Sequence, residues 1–546
     1  MKPDAGNEIA EEIIRDYQRL AGARGNWESH WQEIAQRADP SNWKNFKSGG
    51  HGTKGDKRNE YVFDSTASIA LQRFMAILDS LITPRVQRYQ KLSTDHPTLN
   101  KDRQVKLYFE QATDALFKYR YAPKANFTSQ NQQIYRGLGA YGTGCLFTDE
   151  VMGEIGMRYR AHHLGEIYIS ENHQGVIDKV LRYFPLSARK AFKLWGNSLP
   201  ESIIAKLKDN PENEFFFIHC VKPKDEYDSE RLDYKGMPFS SHYVSMEGKK
   251  LLKESGYNTF PYSVPRYEQA VGEEYGRSPL MHALPAIKTL NEMAKTVLKQ
   301  GHRALDPIYL MHDDGIMDTF SAKPGAMVAG GVSADGHPLV QTLQTGNIAV
   351  SKELMDDQRA PINDACLVSL FQILMERPQM TATEVVEIAR EKGILVAPTL
   401  GRVQDEHLGS VTEREIDILS RQGVLPPMPQ ALREANGEYK IIYDSPLSRS
   451  QRMEEVSGYM RSIEMSIRLA EATQDPSHLY HYNFNMIIPE VNEINGMPIR
   501  WMNDPKVVQQ MRDQQSESQQ TEQMINAAPG AAAMISSAAK MKAVGG

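Results

Sequence analysis

The chain has 546 residues, enough for several domains or one elongated subunit of several parts. With 40% hydrophobic and 24% charged residues and a net charge of −6, it lacks the basic excess that would announce nucleic-acid binding by charge alone. Cys145, Cys220 and Cys366 stand too far apart in sequence for a C-x-x-C site or a disulfide scaffold; the polar N-terminus has no apolar signal core, and no apolar run could span a bilayer. The expectation is a large, soluble, cytoplasmic protein with no membrane contact.

The first element is a helix from about Glu8 to Arg37, because Ile9, Ile13, Tyr17, Leu20, Trp27, Trp31 and Ile34 recur mostly at three- and four-residue steps. A basic, glycine-rich loop from Lys47 to Arg58 follows. A second helix then ends before Pro84, with Asp64 or Ser65 as its cap. The segment to Tyr135 reads as mainly helical. Gly137, Gly139 and Gly142 have the spacing G-x-G-x-x-G, but long helix-compatible runs precede them and the short apolar Cys145-Leu-Phe-Thr follows. A dinucleotide fingerprint needs the opposite order, strand then helix, so these glycines read as a helix C-terminus turning into a strand.

Beyond Gly144, short β-prone runs alternate with Gly, Pro, Asn and Asp. They predict antiparallel strands with one short helix, SARKAFKLWG, among them. A long helix follows near Glu274 to Gly301, started by Ser278 as N-cap and Pro279 at the first helical position, where its missing N–H costs nothing. A compact stretch from Asp306 to Gly346, rich in Gly, Pro and Asp, separates it from a second long helix at about Ser351 to Met375. The two together read as an antiparallel hairpin with an elaborated tip. Pro285 and Pro361 lie inside these helices and are read as kinks. Thr381 and Glu384 have capping-box spacing, so another helix starts near Ala382 and runs for about forty residues, bent at Gly393 and Pro398. A further amphipathic helix starts near Ser448. The Gln-rich and Ala/Gly-rich end has no core of its own and is read as disordered, or helical only in an assembly.

The motifs of familiar chemistries are missing from the sequence: there is no P-loop, no H-E-x-x-H and no G-x-S-x-G. His162-His163, the pair His478 and His481, and the acidic pairs Asp313-Asp314 and Asp356-Asp357 lack further ligands at metal-binding spacing, so no metal or cofactor is expected. A metal-dependent nuclease using these Asp and His residues is the alternative from another class.

The order of parts carries more than any single motif. Tyr275-Gly-Arg-Ser-Pro279, Thr381-Ala-Thr-Glu-Val385 and Gly401-Arg-Val-Gln-Asp-Glu406, supported by FDSTASIALQRFMAILDSLITP and GEIYISENHQGVIDKVLRYFPLSARKAFKLWG, make the chain resemble the portal proteins, or head-to-tail connectors, of short-tailed bacteriophages. The resemblance spans about residues 8 to 510. It implies a non-enzymatic α+β portal fold and a ring of twelve subunits around an axial channel at one capsid vertex, assembled in the host cytoplasm. It implies a helical N-terminal part of the wing at 1–136, an α+β wing at 137–275, stem helices at 276–304 and 350–375, and a clip at 305–349. A channel (tunnel) loop would occupy 376–381, a long wing helix and following segment 382–447, crown helices 448–510, and a low-complexity tail 511–546.

The partners so implied are double-stranded DNA passing without sequence recognition, the terminase motor, the tail adaptor, scaffold and major capsid proteins, and internal core or ejection proteins. Within the loop, Glu376, Arg377, Pro378, Gln379 and Met380 would face the DNA, Arg377 being the only cation. A conduit must not grip its cargo, so the acids Glu353, Asp356, Asp357 and Asp364 of the second stem helix are candidate channel-lining residues.

Overall fold

The computed structural model describes residues 5–40, 46, 59–60, 62–85, 88–151, 153–228, 230–231, 233–305, 309–311, 332–342, 348–369, 398–435, 437–443, 446–495, 497–504 and 506–519. In chain order the first elements are α1 (Ala5–Ala23), α2 (Gly25–Arg37), α3 (Thr66–Ile82), β1 (Gln90–Ser93), α4 (Arg103–Arg120) and α5 (Phe127–Tyr141). Next come β2 (Leu146–Glu150), β3 (Met157–Ala161), β4 (Ile167–Glu171), β5 (Ile177–Ser187), α6 (Ala188–Trp195) and α7 (Glu201–Asp209). They are followed by β6 (Glu214–Pro223), β7 (Phe239–Ser245), β8 (Lys250–Tyr257), β9 (Tyr262–Ser263) and α8 (Pro279–Leu305). The remainder comprises β10 (Tyr309–Met311), β11 (Val340–Thr342), α9 (Ile348–Ala365), α10 (Ser410–Arg421), α11 (Gln430–Glu434), β12 (Lys440–Tyr443), α12 (Pro446–Thr473) and α13 (Phe484–Ile494). Helices and small antiparallel sheets thus make an α+β chain. It divides into one unit of Met1–Tyr89 with Leu116–Val424 and a second of Gln90–Ala115 with Leu425–Gly546.

The first unit is built on a five-stranded antiparallel meander, β4-β5-β6-β7-β8. Strand alternation sends Leu181, Ile218, Cys220 and Val244 to one face, where α1 covers them with Ala10, Ile13, Ile14 and Leu20. Phe184, Phe217 and Leu252 belong to the opposite face, closed by Ala188 and Ala191 of α6 and by Leu199 and Ile203. Each large aliphatic side chain buried in this way contributes about 1.5–3 kcal/mol. A three-stranded sheet, β3-β2-β9, lies in the same unit, as does the ribbon β10-β11.

Three local expectations needed correction. The single helix expected from Glu8 to Arg37 is two, broken at Arg24, whose side chain is 1% exposed. Arg24 Nη1 donates to the carbonyls of Leu164 and Ile167, and its guanidinium lies 3.7 Å from the Tyr168 ring centre. The chain turns there because this buried cation finds its acceptors on the neighbouring layer. Secondly, α7 is a helix that the sequence reading passed over, its only buried position being Ile203. Thirdly, the second long helix, expected from about Ser351 to Met375 with a kink at Pro361, gives way after Ala365, where Leu367 adopts a left-handed φ of 60°. The capping pair Thr381 and Glu384, together with Gly393, lies outside the described residues.

The glycine cluster at the end of α5 packs rather than binds. Gly142 caps the helix at φ 76°, and a Cβ there would meet the Gly276 carbonyl oxygen at 2.2 Å. A Cβ on Gly139 would sit 2.6 Å from Leu71 and 2.7 Å from Phe74 of α3. The chain then enters β2, the helix-to-strand order read from the sequence.

Within the second unit, β1 pairs antiparallel with β12, Gln90 opposite Tyr443. Thr113 of α4 accepts the Leu92 N–H at 3.1 Å, while Arg103 donates to the Met502 carbonyl at 2.8 Å and Glu110 accepts the Ile499 N–H at 3.0 Å. The helix expected near Ser448 is α12, and residues 506–519 are helical as well.

Gly142→Ala should destabilise the protein by about 2–5 kcal/mol in denaturant unfolding, combining left-handed strain with a backbone clash. Gly22→Ala in α1, where a Cβ meets nothing within 4 Å, should be neutral or mildly stabilising.

Candidate functional site

The longest helix among the described residues of the first unit, α8, starts as its sequence demands. Ser278 Oγ accepts the Met281 N–H at 3.0 Å and donates to the Ala140 carbonyl at 2.9 Å, tying the helix start to the end of α5. Leu280, Leu284, Ile287, Leu290 and Ala294 are buried along one stripe. At 1.5 Å per residue α8 is about 40 Å long. Pro285 and Pro361 sit inside α8 and α9, removing the N–H groups that would have bonded the carbonyls of Met281 and Asp357.

The two helices pack together and share an anchor. Asn291 of α8 accepts the Phe63 N–H at 2.8 Å. Arg359 of α9 donates to the Asp64 carboxylate at 2.8 Å, and the other Asp64 oxygen takes the Thr66 N–H at 2.8 Å. Burial works against the Asp64 charge, but the bonds from Thr66 and Arg359 outweigh it and hold the carboxyl below its ordinary value. One turn ahead of α3 therefore clasps both long helices. The sequence offered Asp64 only as a helix cap; its partner lies 295 residues away.

All four acids proposed for α9 are exposed. Glu353, Asp357 and Asp364 follow at steps of four and seven residues and share one stripe, on the side of the helix opposite the buried Ile362. Asp356 lies beside that stripe and pairs with Arg359 at 2.6 Å. The loop residues Glu376, Arg377, Pro378, Gln379 and Met380 lie outside the described residues, as do Asp313 and Asp314. Of the histidine pairs, His163 accepts the Gly165 N–H at 3.1 Å, and His478 and His481 belong to a short 3₁₀ turn. Among the described residues no cluster of three or more His, Cys, Asp or Glu could hold a metal ion.

Of the polar groups that organise the interior, the sequence reading singled out only Glu406, as the end of the Gly401–Glu406 motif. Arg120 and Glu415 form a fully buried pair, Nε to Oε1 2.8 Å, completed by the Tyr89 hydroxyl at 2.8 Å, Thr412 at 3.0 Å and the Tyr159 hydroxyl, which donates to Glu415. A helical run at 398–403 widens into a π turn, Gln404–Gly409, before α10. From that turn Glu406 accepts the backbone N–H of Arg266 at 2.8 Å and its Nη2 at 2.7 Å. His407 is fully buried, its Nδ1 2.9 Å from Ser263 Oγ and its Nε2 2.6 Å from Asn131 Oδ1. An amide oxygen only accepts, so Nε2 carries the proton and Nδ1 accepts from Ser263. The set has the residue types of a nucleophilic triad, but Ser263 is 3% exposed and Asn131 1%. It fastens the π turn to β9 and α5.

With this architecture in place, comparison with known proteins identifies its class. The chain matches the bacteriophage head to tail connecting proteins over residues 10–502, and it belongs to that family. It is similar to the portal protein of Salmonella phage epsilon15, 25% identical over 94% of this chain and 92% of that protein. It is similar also to the probable portal protein of Bordetella phage BPP-1, 26% identical over 81% of this chain and 79% of that one.

Burial lowers the pKa of both His219 and His407 to about 3, with nearby arginines adding to the effect. The unfolded chain protonates these histidines below about pH 6.5 while the folded chain does not, so their contribution is greatest above pH 6.5 and falls on acidification. Each should remove about 1.4 kcal/mol per pH unit between pH 6.5 and about 3. Thermal unfolding followed across that range should show the decline, and His407→Gln should make it shallower. Separately, Arg359→Ala should cost about 1 kcal/mol, since the pair it breaks is partly exposed.

Proposed function

We propose that this protein is the portal subunit of a virion, twelve copies forming a ring at one capsid vertex through which duplex DNA is packaged and later ejected. The observation that carries this reading is the match to connector and portal proteins along nearly the whole chain. In it, 1–136 and 137–275 form the wing, and α8 and α9 form the stem within 276–304 and 350–375. Residues 305–349 form the clip that docks the terminase motor and then the tail adaptor. Residues 376–381 form the channel loop, 382–447 the long wing helix and its continuation, 448–510 the crown, and 511–546 the tail. Scaffold and major capsid proteins would hold the ring in the shell, with core or ejection proteins inside it.

The exposed acidic stripe of α9 supports a lining role for Glu353, Asp357 and Asp364, with Asp356 at its margin. Carboxylates along a channel do not release the counterions of a passing duplex, so no adhesive free energy accumulates and the DNA slides. Arg359 is spent on Asp64 and Asp356, which keeps the nearest guanidinium occupied. In the channel loop Glu376, Arg377, Pro378, Gln379 and Met380 are the residues proposed to touch DNA.

Native mass spectrometry and negative-stain imaging of the purified chain should show rings of about twelve subunits with an axial hole; a monomer or dimer at high concentration would overturn the reading. In an in vitro packaging reaction, the triple variant E353Q/D357N/D364N should still form rings but package more slowly and with a steeper salt dependence. Packaging unchanged in rate and salt response would remove these residues from the lining.

A further inference from the structure

A cavity of about 260 Å³ opens in the first unit between the end of α5, strand β3 and strand β5. Its lining includes two guanidinium groups, Arg160 and Arg182, and one carboxylate, Glu166. That carboxylate is already engaged: Arg182 Nε and Nη2 both donate to Glu166 Oε2 at 3.2 Å, and the pair is 12% and 13% exposed. Arg182 also stacks over Phe184 at 4.1 Å, which fixes its plane.

Arg160 has no such partner. Among the described residues it makes no hydrogen bond or close ion pair; Glu166 on the same lining attracts it electrostatically, and the strand register fixes its backbone opposite Phe147 of β2. Partial desolvation and the like charges of Arg182 and Arg158 lower its pKa from the ordinary arginine value, and Glu166 opposes them without cancelling them. Neutral donors lie on the same lining. Gln130 accepts the Ala161 N–H through Oε1 at 2.8 Å, which leaves its amide NH₂ to donate, and Gln133 lies one helical turn further on.

We propose that this cavity is an oxyanion site, in which the Arg160 guanidinium and the amides of Gln130 and Gln133 receive a carboxylate or a phosphate. The planar fork of arginine matches the two oxygens of either group, and an anion here would neutralise the excess positive charge beside Arg182. All the residues of the site belong to one chain, so an unassembled chain already contains it. Two sources could supply this chemistry: a free phosphate-class anion, or an acidic side chain offered by a second copy.

The test titrates inorganic phosphate into the full-length unassembled chain and into assembled rings, following heat and melting temperature at constant ionic strength. Saturable binding by the unassembled chain is expected, weakened about tenfold or more in Arg160→Gln and partly retained in Arg160→Lys, which keeps the charge but loses the fork. Both variants replace an exposed side chain, and circular dichroism checks that they fold. Binding in unassembled chains and rings alike identifies a free anion as the occupant. Binding only in unassembled chains identifies a neighbour's carboxylate, and Arg160→Glu should then impair assembly. No saturable binding, or equal binding by wild type and Arg160→Gln, overturns the proposal.

Discussion

The first unit depends on one close approach of bare backbone. At the end of α5 the chain reverses through Gly142, whose carbonyl accepts the Tyr267 N–H at 2.9 Å. Thr143 Oγ1 takes the Gly276 N–H at 2.9 Å, and Thr143 bridges to Arg266. Two residues after Gly276, Ser278 bonds the α5 carbonyl of Ala140 and caps α8. The point where the long helix leaves the α+β body is therefore set by main-chain atoms in contact with main-chain atoms. Side chains on Gly142 or Gly276 would push the two segments apart, since a Cβ on Gly276 would lie 2.3 Å from the Gly142 carbonyl. The glycine spacing that imitates a nucleotide fingerprint thus serves the origin of the long helix α8.

Buried charge reinforces the same region from the other side. Arg266, 2% exposed, is held by Glu406 from the π turn and by Glu171 from the end of β4. The Arg120 and Glu415 pair anchors α10 one turn beyond that bulge. Burying these ions costs more than their attraction returns unless every lone pair and proton is matched. Here Tyr89, Tyr159 and Thr412 complete the matching, so removing any one charge leaves its partner stranded. Such pairs add little net stability. They do penalise alternative registers of the helix, which is what a bulge needs if it is to remain where it is.

How much of this was legible in the sequence follows from the range of each interaction. The Ser278 cap, the buried stripe of α8 and the helix-to-strand turn at Gly142 are set by residues within a few positions of one another, and composition and spacing reveal them. Arg24 breaks a helix whose apolar periodicity runs straight through it, because its acceptors at Leu164 and Ile167 lie more than a hundred residues on. Strand β1 reads as part of a helical region because only β12, late in the chain, gives it a partner. The π turn shows in the sequence only as a five-residue step between Val403 and Leu408, which is too slight on its own to mark a bulge in a long helix. At the candidate site the acids of α9 were visible as a composition bias. Their common stripe follows from helical geometry, but the Asp64 and Asn291 clasp that turns the other side of the helix pair inward required the fold.

That clasp explains why the stripe is free to be acidic. A helix with carboxylates on all sides would have to strip them of water against α8 and would bury no apolar surface by packing. In α9 the packed side carries the fully buried Ile362, with Cys366 buried just beyond the helix end, and Arg359, whose charge is neutralised by Asp64 and Asp356. The packed side is held by apolar burial and by the Arg359 pair to Asp64 ahead of α3, while among the described residues Glu353, Asp357 and Asp364 form no ion pair. They can be changed without loosening the helix pair, and whatever they do is done toward solvent or toward another molecule. Under the channel-lining role proposed above, that other molecule is duplex DNA, and an exposed acidic face is the surface that duplex phosphate has least tendency to grip.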